Sequence, residues 1–104
     1  AKVFLASATR SKPLISVDQE GGAVQRLGAR SGYDAIPAAQ AIAARNSPEE
    51  AYRIYQGMAR ALRAAGFNLN LAPVVDLGFE PKNPVIAKWG RAYAPDGATV
   101  ARYA

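Results

Sequence analysis

Two apolar runs, each closed by an aspartate, frame the chain: PLISVD at residues 13–18 and NLNLAPVVD at residues 68–76. A short apolar run bounded by turn residues is how a strand buried on both faces reads, and Pro13 and a glycine-rich stretch bound the first of them. The pattern predicts a parallel-type strand at each. A weaker strand candidate, residues 3–6, is set apart from the first run by the polar and cationic residues 7–12. Between the two runs the pattern changes twice. Glycines and polar residues dominate 19–36, which predicts a long loop of the length usually kept for function. From 47 to 66 the apolar positions Ala51, Ile54, Tyr55, Met58, Ala61, Leu62 and Ala65 then recur at helical spacing, with Arg53, Gln56, Arg60 and Arg63 on the opposite face.

The ends of that helix are marked as clearly as its faces. Ser47 and Glu50 have the spacing of a capping box, Pro48 stands at the first helical position, and Gly66 suits the left-handed residue that closes a helix. The order strand, loop, helix, strand is that of a βαβ crossover, so a parallel α/β sheet is expected. In α/β barrels the functional face lies at the carboxyl ends of the strands. Asp18 and Asp76 therefore belong on one rim. After Pro95 another helix is expected, with Asp96 as its N-cap. There is no low-complexity tract, no linker, and no repeat beyond the two runs ending in aspartate.

Composition narrows the chemistry more than the fold. At 104 residues and 50% hydrophobic the chain has the makeup of a globular protein rather than a disordered one. No run approaches the ~18 to 20 apolar residues of a membrane span, and no signal-peptide pattern is visible. The chain opens on Ala1, already close to an apolar run, which suggests that the natural start lies upstream. The absence of cysteine excludes disulfides, zinc ribbons and thiol nucleophiles; the absence of histidine excludes an imidazole-based triad and a histidine-containing zinc site. A net charge of +5 invites a nucleic-acid reading. The thirteen lysines and arginines are spread along the chain without a dense block or a nucleic-acid motif, so that reading is set aside.

Taken residue by residue, Asp18 and Asp76 have the makings of a glycosidase carboxylate pair, which works at separations of ~5 to 9.5 Å. For Asp76, capping of the following loop is the stronger role. For Asp18, at the mouth of an acidic, glycine-rich loop with an arginine eight residues on, a functional role leads. Gly21 and Gly22 lack the spacing of a phosphate loop, and a plain turn accounts for them better. Arg26 and Arg91 carry planar forks suited to gripping adjacent hydroxyls of a sugar ring, yet either would serve equally to brace loops by pairing with Asp18, Glu20 or Asp76. Trp89 suits either stacking on a pyranose or covering apolar core, the commoner task of a single loop tryptophan.

VDQEGGAVQR, then Ile36-Pro37, NLNLAPVVD and NPVIAKWGRAYAPD resemble, in order and spacing, the N-terminal barrel domain of glycoside hydrolase family 3, and within it the bacterial β-N-acetylhexosaminidase branch. The resemblance runs from about Pro13 to Ala104 and implies the N-terminal portion of a (β/α)8 TIM-type barrel, incomplete in this chain. It further implies retaining hydrolysis of a terminal β-linked N-acetylglucosamine, from a glycoside or muropeptide, with a place in peptidoglycan recycling. No cofactor, metal, nucleic acid or membrane span enters that picture. Carried over by motif, Asp18, Arg26 and Arg91 contact the hydroxyls of the sugar. The family's lysine and histidine of a KHFPGHG-like motif, its histidine acid/base and its aspartate nucleophile belong to later segments, so no catalytic residue is expected among residues 1–104. KWGRAYA departs from the GERSF-like sequence common in hexosaminidases toward the WGR of the family's β-glucosidases, which keeps a glucosidase open as the alternative; a non-catalytic sugar-binding module is another. The cytoplasm is the first expectation for location, with periplasm or exterior open. A full barrel takes about 250 residues, so the isolated piece is expected to associate or fold marginally.

Overall fold

In the computed structural model, residues 12–104 are described, so the strand expected at residues 3–6 lies outside the described residues. Two strands, β1 (Ser16–Val17) and β4 (Leu69–Asn70), pair in parallel, Ser16 opposite Leu69 and Val17 opposite Asn70. Between them in sequence lie an antiparallel ribbon of β2 (Gln19–Gly21) and β3 (Val24–Gln25), a 3-10 turn at Ala29–Ser31, helix α1 (Ala39–Arg45) and helix α2 (Pro48–Ala65). After β4 an irregular stretch leads through a 3-10 turn at Ala87–Trp89 to helix α3 (Gly97–Tyr103). The parallel pair with helices in its crossover is the expected α/β arrangement.

The regular strands are shorter than the apolar runs that announced them, for a physical reason. Asparagines flank and end β4, and their side-chain amides stand in for backbone. Asn68 accepts from the Ile15 N–H at 2.7 Å and donates to the Pro13 carbonyl at 2.8 Å. Asn70 accepts from the Gln19 N–H at 3.1 Å and donates to the Gln19 carbonyl at 2.9 Å. Main-chain bonds from Asn68 and Leu69 to the Ile15 carbonyl, and from Leu71 to that of Val17, complete the seam. Every buried peptide group must find a partner. Here side chains continue the pairing where the ladder stops.

Helix α2 follows the sequence closely. The Ser47 hydroxyl accepts from the Glu50 N–H, the Glu50 carboxylate accepts from the Ser47 N–H, Pro48 opens the helix, and Gly66 closes it in the left-handed conformation. Its inward face buries Ala51, Met58 and Leu62. Met58 and Leu62 pack on Val17, with Leu27, Ile36, Tyr55 and Phe67 around them. A second cluster joins Ala39 of α1, Tyr93 and Val100 of α3, flanked by Ala43, Tyr55, Ala94 and Tyr103. Asp96 caps α3 as expected, accepting from the Thr99 N–H at 2.8 Å.

Tyr55 belongs to both clusters. Its hydroxyl meets that of Tyr93 at 2.9 Å, the two rings standing edge to face at 6.4 Å, while Tyr93 stacks on Tyr103 at 5.7 Å. The Tyr103 hydroxyl in turn donates to the Asn46 carbonyl at 2.7 Å and lies 3.3 Å from that of Ala43, covering carbonyls at the end of α1. The start of α1 is likewise served from a distance, by a bond from the Gln40 N–H to the Gly90 carbonyl at 3.0 Å. Large apolar side chains outside these clusters stay in the open, among them Leu14, Leu71, Val75 and Phe79. The Cα radius of gyration is 15.0 Å, against about 13 Å for a self-contained domain of ~100 residues.

Two outcomes follow for the intact protein. Asn70→Leu leaves the Gln19 N–H and carbonyl unpaired, each such group costing about 1–3 kcal/mol, so the urea midpoint should fall with the slope unchanged. Burial pushes the Tyr55 hydroxyl well above its ordinary range, aided by its bond to Tyr93, and burial raises Tyr93 as well. Both groups hold their protons more tightly folded than unfolded. The stability they support is therefore complete below the unfolded value of about 10 and is lost as pH climbs past it. Denaturation midpoints followed from neutral pH into the alkaline range should fall less steeply in Tyr55→Phe than in the wild type.

Candidate functional site

The segment 18–36 is irregular for most of its length yet firmly held, because two glutamines brace it from within. Gln19, 3% exposed, uses its amide as a peptide group would, donating to the Leu27 carbonyl at 2.8 Å and accepting from the Leu27 N–H at 3.0 Å. Gln25 donates to the carbonyls of Leu27 and Asp34 and accepts from the Ile36 N–H. A buried amide with all its partners met fixes a loop as a ladder fixes a strand. What looked like one long loop is a bulged ribbon with a pinned return.

The two glycines at its tip are required by closeness. Gly21 and Gly22 have φ of 96° and 56°. A Cβ on the first would lie 2.3 Å from the Pro37 carbonyl oxygen, and one on the second 2.6 Å from the Ala38 Cβ. The Gly22 N–H donates to the Ile36 carbonyl at 2.8 Å, so the tip is packed directly on the 36–38 backbone. This is the plain turn expected of them, with a packing reason added.

From this frame the charged residues emerge in two pairs. Asp18 and Arg26 approach to 4.0 Å, with side chains 49% and 62% exposed. An open contact of that length is weak and leaves both groups accessible to a ligand. Glu20 and Arg91 form the opposite kind of pair. Arg91 Nε donates to Glu20 Oε2 at 2.9 Å and Nη2 to Oε1 at 2.8 Å, with exposures of only 10% for Glu20 and 22% for Arg91. Nη1 reaches the Val85 carbonyl at 3.2 Å. Arg91 therefore braces the loops through Glu20, with two of its five N–H donors left over for a further partner, and Arg26 lies loosely by Asp18.

Arg91 itself is delivered by a compact turn. The Asn83 side chain accepts from the N–H groups of Val85 and Ile86, the Arg91 N–H donates to the Ile86 carbonyl, and Gly90 takes a left-handed φ of 63°. The guanidinium is held above its ordinary pKa first by the hydrogen bonds to Glu20, against some desolvation, and further by the charges of Glu20, Asp76 and Asp18. Asp18 directly follows β1, whereas Asp76 stands six residues beyond β4 in the irregular stretch and is not the strand-end carboxylate expected of it, although both charges act on Arg91. Trp89 does not cover core: it is 49% exposed, with the Lys88 ammonium 5.0 Å from its ring centroid. Among the described residues no group of three acidic or other metal-ligating side chains is arranged to hold a metal ion.

The rim thus presents carboxylate acceptors and guanidinium donors at mixed exposure, a set suited to a neutral ligand rich in hydroxyls. Sequence reasoning named Asp18, Arg26, Arg91 and Asp76, and weighed Glu20 only as one of three partners for the arginines. It missed the bracing by Gln19, Gln25 and Asn70. The available signal was polar amides placed inside or beside otherwise apolar runs, NLNL and VDQ, where an unpaired amide would be costly.

Comparison with known proteins bears on the family and the fold. Residues 4–104 match the family model described as glycosyl hydrolase family 3 N terminal domain. A β-hexosaminidase of Xylella fastidiosa is 39% identical over an alignment of 105 positions, gaps included, that covers 86% of this chain and 31% of that protein. A family 3 glycosyl hydrolase from Mycobacterium smegmatis superposes with a TM-score of 0.81 at 32% identity, over 95% of this chain and 30% of the other. A family 3 β-N-acetylglucosaminidase from a Paenibacillus species gives 0.78 at 41% identity, over 86% of this chain and 16% of the other. The chain therefore spans about a third or less of the relatives it matches, and its α/β fold is part of their TIM-type barrel. It belongs to glycosyl hydrolase family 3, as a portion of the family's N-terminal domain, and is similar over that portion to proteins named β-hexosaminidase and β-N-acetylglucosaminidase.

Proposed function

We propose that this segment forms the sugar-gripping rim of a retaining exo-β-N-acetylglucosaminidase, in which Asp18, Arg26 and Arg91 contact hydroxyls of the terminal N-acetylglucosamine. The observation that supports the reading is that one ribbon carries both the open Asp18–Arg26 pair and the Glu20 that holds Arg91. Asp18 and Arg26 are half open and only loosely paired. Arg91 has five N–H donors, of which three are engaged among the described residues, leaving one on each terminal nitrogen. Two remaining donors and one exposed carboxylate suit neighbouring hydroxyls of a pyranose, which both donate and accept.

In the retaining reaction a nucleophile forms a glycosyl-enzyme intermediate and an acid/base group serves both steps. With no histidine in the chain, the family's histidine acid/base would come from elsewhere in the whole protein. Residues of this segment bind and orient the sugar. Hydrogen bonds to ring hydroxyls that tighten as the transition state forms lower the barrier by several kcal/mol, so holding is itself catalytic. The relatives named as β-hexosaminidase and β-N-acetylglucosaminidase favour N-acetylglucosamine as the sugar, in a simple glycoside or a muropeptide. The WGR sequence at 89–91 and the half-exposed Trp89 favour the glucosidase alternative.

One assay separates the two. The whole protein should release nitrophenol from an aryl N-acetyl-β-glucosaminide far faster than from the aryl β-glucoside; the reverse order would move it to the glucosidase branch, and no release from either substrate would leave a binding module. Arg26→Ala and Asp18→Ala should each lower kcat/KM by about 10- to 100-fold, the range of a lost hydrogen bond to a charged group. Their denaturation midpoints should stay near wild type, because the exposed pair supplies only about 0–1 kcal/mol.

A further inference from the structure

We infer that Glu20 is a positioning residue for this site: it does not touch the sugar, and it sets the plane and reach of the Arg91 guanidinium that does. The inference rests on the proposed role of Arg91 in binding the sugar. Arg91 stands on an irregular stretch with no ladder of its own, at the end of a flexible side chain, so its backbone alone does not orient its donors. A bidentate contact does, since two parallel N–H···O bonds fix both the direction and the rotation of a planar group. Glu20 supplies both oxygens, at 2.8 and 2.9 Å, and the Val85 carbonyl adds a third restraint.

Glu20 is itself well anchored. It lies in β2 between buried Gln19 and buried Gly21, the first pinned by Asn70 and Leu27 and the second packed against Pro37. Its carboxylate is 10% exposed, against 49% for Asp18 two residues earlier, and both its oxygens are engaged by Arg91. Two carboxylates on one short stretch are thereby given different work. The outer one is open to hydroxyls; the inner one is occupied by the guanidinium and transmits its position. Exchange of Glu20 for Gln keeps the shape, removes the charge, and turns an amide NH2 toward an N–H donor. Exchange for Asp keeps the charge and withdraws it by a methylene.

The test is a double-mutant cycle in the whole protein, read as kcat/KM on an aryl N-acetyl-β-glucosaminide beside a thermal melt of each variant. Glu20→Gln should lose about 10- to 100-fold, the scale of a misplaced contact group, and Arg91→Ala at least as much. In the Arg91→Ala background Glu20→Gln should cost no more than about twofold further, because the group it positions is gone. Independent, multiplicative losses would mean that Glu20 acts on structure or substrate by another route and would overturn the inference. So would a Glu20→Gln enzyme as active as wild type beside an impaired Arg91→Ala, a result that leaves the role of Arg91 intact. An Arg91→Ala enzyme with unchanged kcat/KM would instead remove the underlying reading, and the inference with it. If Glu20→Gln does not fold, Glu20→Asp enters the same cycle with the same outcomes.

Discussion

The Asn70 amide is the contact on which the arrangement of this segment depends. By bonding to both the N–H and the carbonyl of Gln19, it ties the last residue of β4 to the first residue of the ribbon. Gln19 passes the constraint on to Leu27 through its own amide. Strand end, ribbon and return loop are thus joined by a relay of amides instead of a continuous ladder. A buried amide is intolerant of misplacement, since each unmet donor or acceptor in low dielectric carries the full desolvation cost. The register of the charged residues around it is fixed accordingly.

What the relay positions is a set of five charged side chains whose pairing is unequal. Glu20 and Arg91 neutralise one another at close range and largely out of solvent, whereas Asp18 and Arg26 are separated by 4.0 Å and wet. The negative charge of Asp76 also favours the charged form of Arg91. Desolvating a charge is costly unless a partner and hydrogen bonds replace the water. The inner pair meets that condition within the protein. The outer pair, about half exposed, keeps its water instead. Asp18 and Glu20, two residues apart, are thus held in opposite environments.

How much of this was visible in the sequence varied with where each element finds its partners. Helix α2 was legible from end to end because its capping box, proline and closing glycine are local. Asp96 was legible for the same reason. Helix α1 was not: Ala38 offers no cap, and the helix is closed by Gly90 before it and Tyr103 after it, both distant in sequence. The strands were correctly placed but overdrawn, since periodicity cannot show that Asn68 and Asn70 pair through side chains. Asp18, Arg26 and Arg91 stand out in the sequence as a motif, and the structure pairs the first two loosely and joins the third to Glu20. Which arginine would be braced, and by which carboxylate, depended on a contact spanning 71 residues that no local pattern encodes.

Tyr55 has a consequence for cooperativity. Two small clusters on a short chain would ordinarily open as separate units, each with its own local stability. Because one ring packs against both, and its hydroxyl is bonded to Tyr93 of the second, opening either cluster strips contacts from the other. Amide protons along α2 and around Val100 should then exchange with solvent on a common free energy, so that the rim is supported by a single all-or-none unit and does not loosen piecemeal.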